Sequence, residues 1–108
     1  MRSLDPKAIF CRRLREARLA AGLSQKQLGI RAGLDQFVAS TRVNRYELGV
    51  HEPDMGMAAR LAYAASIPLA YLYAEDDRLA QVIKDFRPSG SKLSRKGTAA
   101  SSRKAKAD

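Results

Sequence analysis

Apolar residues recur every three or four positions through most of the chain, and no stretch reads convincingly as a strand. Phe10, Leu14, Ala17 and Ala21 form the first helical stripe. Asp5-Pro6 precedes it as N-cap and first-turn proline, and Gly22 can stop it in a left-handed cap. Ser24 and Gln27 stand at capping-box spacing, and Leu23 and Leu28 occupy the hydrophobic-staple positions around them. Leu28 and Ala32 make a short second stripe that Gly33 ends. A third helix, capped by Asp35 and closed by Gly49, turns Ala39, Val43 and Tyr46 inward and Ser40, Thr41, Asn44 and Arg45 outward. Pro53-Asp54 opens a fourth helix with Ala58, Leu61, Ala62 and Ala65 as its apolar set. After Pro68 comes a short fifth helix with Leu69, Leu72 and Tyr73. Asp76 or Asp77 caps a sixth, carrying Leu79, Val82, Ile83 and Phe86. The expected fold is all-α, a compact bundle of five to six helices with short loops.

Composition divides this picture in two. The 108 residues carry a formal charge of +9. Residues 1–86 hold thirteen basic and ten acidic residues, a net of +3. From Arg87 to Asp108, seven basic residues face one acid, a net of +6, with Leu93 the one large apolar residue. Such a segment buries too little surface to offset the entropy of ordering. One folded domain, 1–86, is therefore expected, followed by a disordered basic tail, 87–108. The excess charge favours a polyanion. One Cys and one His speak against a disulfide framework and a metal site, and no cofactor is implied. The longest uncharged stretch, Leu61 to Ala74, is too short to span a bilayer and contains Pro68. Charges break any signal-peptide core near the N-terminus, so a cytoplasmic location is expected, with no membrane partner.

Two helices joined by a short glycine-containing turn in a basic chain suggest a DNA reader. The stretch from Leu14 to Asp54 resembles the Cro/phage-repressor type of helix-turn-helix regulator, the XRE family. The matching pieces are R-x-x-x-G-L-S-Q-x-x-L at Arg18 to Leu28, A-G at Ala32-Gly33, and V-N-R-Y-E-x-G at Val43 to Gly49. Pro53, Leu61, Ala62 and the later I-P-L-x-x-L also fit. The resemblance covers roughly residues 10–74 and implies a bundle of the phage-repressor DNA-binding type.

It also implies roles. Ser40, Thr41 and Arg45 fall on the family's base-reading positions, and Arg45 is the first choice for discriminating a guanine. Gln25 falls on the family's backbone clamp, at a helix N-terminus whose partial positive charge suits a phosphate. Lys26, Arg42 and Asn44 flank these positions as further candidates for phosphate contact. Arg18 sits at the edge of the first helix's stripe and needs a partner; the family pairs its equivalent with the acid at Glu47, an expected structural ion pair.

The sequence departs from the family twice. Four extra residues stand between Gly33 and Glu47. They extend the recognition helix at its start, with Asp35 as cap, or lengthen the turn, with Gln36 and Phe37 looped out; the helical alternative is the one favoured here. Position 29 is Gly where the family usually has Ala, at a cost of about 1 kcal/mol in helix propensity.

The remaining chemistry is thin. Cys11 reads as a small buried hydrophobe and His51 as a loop residue. A Cys11/His51 nucleophile lacks a third orienting group, so no enzyme is expected. Tyr63, Tyr71 and Tyr73 read as core or interface residues. The expected function is sequence-specific binding of double-stranded DNA in transcription regulation, two-fold sites being read by a homodimer that pairs through Leu69, Leu72 and the apolar face of 79–86. The alternative is a protein-interaction module on the same fold, such as an antitoxin or adaptor. No small-molecule ligand is evident in the sequence.

Overall fold

Local capping chemistry starts most of the helices. The computed structural model describes residues 5–87. In α1 (Pro6–Ala20) the Asp5 carboxylate accepts the Lys7 N–H at 3.1 Å. In α2 (Gln25–Arg31) the capping box is complete: Ser24 Oγ accepts from the Gln27 N–H at 3.0 Å, and Gln27 Oε1 accepts from the Ser24 N–H at 2.8 Å. In α4 (Met55–Ala64) Asp54 accepts the Met57 N–H at 2.8 Å. Asp76 starts α5 (Asp77–Asp85) by accepting from Arg78 and Leu79. The segment expected as a fifth helix, Leu69–Tyr73, is a 3-10 turn. Among the described residues there is no strand. The basic tail expected to be disordered lies outside the described residues from position 88 on.

The third helix differs from the favoured expectation. It runs Ala39–Leu48 and ends at Gly49, whose φ of 76° suits a residue without a Cβ. It does not begin at Asp35. Residues 36–38 form a turn, and Val38 precedes the helix with no side-chain cap. The Asp35 carboxylate is used earlier, accepting the Phe37 N–H at 2.9 Å in a local side-chain turn. The four extra residues therefore lengthen the turn. Tertiary packing fixes where the helix begins. A Cβ on Gly29 would lie 2.7 Å from Ala39 Cβ and 3.0 Å from Ala39 Cα, so α2 admits the start of α3 only because position 29 has no side chain. The small residue that looked costly in α2 is what the close crossing requires.

The core gathers Leu14, Leu28, Val43, Leu61 and Leu72, all fully buried. Shortening any one of the four leucines to alanine should cost about 2–5 kcal/mol. Leu72 was expected on a dimer surface; it is instead sealed inside the monomer, because the 3-10 turn lies across α1 and α4 with this side chain inward. On α5 only Ala80 is buried, Ile83 packs partly against the core, and Val82 (65% exposed) and Phe86 (62%) face outward with Leu79. Ions hold the start of this helix. Buried Arg13 donates to Ala74 O at 2.8 Å, Glu16 Oε1 at 3.1 Å and Asp77 Oδ1 at 3.0 Å, and lies over the Tyr71 ring. Arg12 adds a second bond to Asp77 at 3.1 Å. Hydrogen bonds from Arg12 and then Arg13 hold the Asp77 carboxyl below the usual carboxylate range.

Candidate nucleic-acid interface

The face of α3 opposite Ala39, Val43 and Tyr46 presents Ser40, Thr41, Asn44 and Arg45, all exposed. Helical geometry sets this division. With 100° per residue the three buried side chains share one side, which leaves Thr41, Asn44 and Arg45 pointing away from the bundle. The polar face is thus a consequence of where the core residues fall.

The orientation of this face is fixed by charge. Arg18 Nε donates to Glu47 Oε2 at 2.6 Å, and Arg18 Nη2 to Glu47 Oε1 at 3.1 Å, a two-bond fork. Arg18 Nη1 also donates to Leu23 O at 3.1 Å. One guanidinium therefore ties α1 to the α1–α2 loop and to the end of α3. The Glu47 side chain is only 5% exposed, so these bonds offset the cost of burying it. Gln25 extends the network from the start of α2. Its Nε2 donates to Glu47 Oε1 and to Asn44 Oδ1, each at 3.1 Å. The structure thus brings together Arg18, Gln25, Asn44 and Glu47. Ser40, Thr41 and Arg45 stand on the adjoining surface, and Lys26 is exposed on the first turn of α2. Arg42 lies apart, on the opposite flank of α3, where Nη2 donates to Tyr46 Oη at 2.8 Å and the guanidinium lies over that ring.

Two features escaped the sequence. Arg13 is a buried hub, and its signal was its place three residues after Phe10 and three before Glu16, at the stripe's edge. The Gln25–Glu47 bond had no signal, since the two residues meet only when the helices cross. Cys11 is half-buried and donates to Tyr46 O at 3.2 Å; burial pushes its thiol above the ordinary value. It lines, with His51, Phe10 and Tyr46, a cavity of about 180 Å³ at the far end of α3. Among the described residues no group of His, Cys, Asp and Glu could hold a metal ion. No described helix is long and apolar enough to cross a membrane.

Among solved structures the chain is similar to the transcriptional regulator BswR, with 44% sequence identity and a TM-score of 0.67 over 72% of this chain and 80% of that one. No curated protein matches. Residues 9–69 match the helix-turn-helix domain family, a span that takes in most of α1, the whole α2–turn–α3 unit with its Arg18–Glu47 bond, and α4. More than half of the sequence lies within that match, and the protein belongs to the helix-turn-helix domain family.

Proposed function

We propose that the protein is a transcriptional regulator that binds double-stranded DNA sequence-specifically, with α3 in the major groove. The carrying observation is the Arg18–Glu47–Gln25–Asn44 network, which locks the start of α2 beside the polar face of α3. Preorganised side chains read base edges without an ordering cost at binding. In this reading Arg45 contacts a guanine through its two major-groove acceptors, and Ser40 and Thr41 contact neighbouring bases. Gln25, Lys26, Arg42 and Asn44 hold the flanking phosphates and set the register. The likeness to a transcriptional regulator at 44% identity supports the same reading.

The protein acts as a homodimer in this proposal. A helix of ten residues reads few base pairs, and two copies one DNA turn apart, roughly 34–36 Å, supply the missing specificity. The outward residues Leu79 and Val82 of α5, with Phe86 just after it and Leu69, form the contact between copies.

Selection of binding sites from random duplexes by the full chain tests this. The expected product is a two-fold motif whose affinity falls steeply with salt. Arg45→Ala should relax preference at one position of each half-site, at about 1–3 kcal/mol. Binding that enriches no motif would refute the proposal.

A further inference from the structure

The extra turn before α3 carries the most exposed aromatic residue among those described. Phe37 is 85% exposed, although an aromatic side chain is the kind that gains most from burial. The turn is not loose. Asp35 O accepts from Val38 and Ala39 N–H at 3.1 and 2.9 Å, the carboxylate of Asp35 accepts from Phe37 N–H, and Ala39 is wedged against Gly29. The Ala39 bond back to Asp35 spans four residues, as in a helix. The turn therefore closes on one helix-type bond and sets its residues at the N-terminal end of α3. Phe37 stands two residues before the first residue of α3, ahead of Thr41 and Asn44 in the chain.

On the reading of α3 as the groove helix, we infer that Phe37 is a further specificity-determining residue that contacts the 5-methyl group of a thymine. A phenyl ring offers neither charge nor a conventional donor to a phosphate. The apolar group that the major groove displays is the thymine methyl, which side chains of this kind contact. Phe37 precedes α3, so the thymine lies beside the base that Thr41 touches, towards the N-terminal end of α3.

The test combines site selection with base replacement. The full chain and its Phe37→Ala variant are taken through selection from random duplexes, and each thymine of the wild-type motif is then replaced by uracil, which removes only the methyl. For the wild type, one thymine beside the Thr41-dependent position should show a loss of about three- to fivefold on replacement, the value of one methyl-sized burial. Phe37→Ala should lose that sensitivity and the preference for thymine there, while keeping the preference set by Arg45. Phe37 is 85% exposed, so circular dichroism should show an unchanged fold. A uracil penalty that persists in Phe37→Ala, or a wild-type motif indifferent to every thymine methyl, would overturn the assignment while leaving the groove reading intact. A wild type that enriches no motif would instead overturn the groove reading, and this inference with it.

Discussion

The α2–α3 unit and α5 are attached to the same α1 by opposite means. At α3 a carboxylate is buried, forked onto one guanidinium, and backed by a helix crossing so close that a methyl group would not fit. At α5 the shared carboxylate is exposed, Ala80 is the one buried side chain of the helix, and large apolar residues face solvent. The first arrangement has a large penalty for any change and so holds one geometry. The second has many small contacts to lose singly and leaves its surface available. Rigidity and availability are thus assigned to different helices.

The largest effect should come from Arg18→Ala. It strands the buried Glu47 charge, and one-sided removal of a buried pair costs about 3–5 kcal/mol. In a domain of this size that lowers Tm by at least about 10 °C, readable by thermal denaturation. Adding Glu47→Ala should recover part of the loss, because the stranded charge goes with it. A full additive loss would break the picture of one coupled unit.

Gly29→Ala should rank second. Helix propensity favours the change by about 1 kcal/mol, but overpacking costs about 1–3 kcal/mol, and the nearest atoms include Ala39 backbone that cannot rotate away. The net expectation is a loss of up to about 2 kcal/mol, measured by urea unfolding. A gain would show that the crossing yields easily and that α3 is not held as described.

Asp77→Asn should be the mildest. The global Tm should scarcely move, since the exposed bridge contributes little. Amide exchange in α5 should quicken relative to α3. The pH dependence has a defined sign. A carboxyl held low when folded contributes stability above its unfolded pKa and loses it as pH falls through the folded one. The wild-type α5 should therefore loosen in acid below the usual carboxylate range, and Asp77→Asn should lack that step. A Tm loss rivalling that of Arg18→Ala would erase the contrast between the two attachments.

The same contrast explains what the sequence disclosed. Helix starts at Asp5, Ser24, Asp54 and Asp76 were legible because a cap is a bond between neighbours in the chain. The start of α3 was not, because Asp35 spends its carboxylate on Phe37 and the boundary depends on Gly29 meeting Ala39 across two helices. Leu69 and Leu72 look alike in the sequence, yet only the placement of the 3-10 turn decides that Leu72 is core. For the interface, the outward residues of α3 followed from the periodicity of its buried ones. The partners of Gln25 and Arg13 depended on tertiary contacts that no spacing encodes.

The contact between Gly29 and Ala39 also constrains how this chain could change over generations. While the longer turn sets Ala39 against α2, alanine at position 29 is penalised. Were the turn shortened so that another residue began α3, the same substitution would become favourable by its helix propensity. The sign of one mutation thus depends on the prior occurrence of another. Turn length and the residue at position 29 are thus physically coupled, and a lineage that altered the turn first would find the alanine open to it.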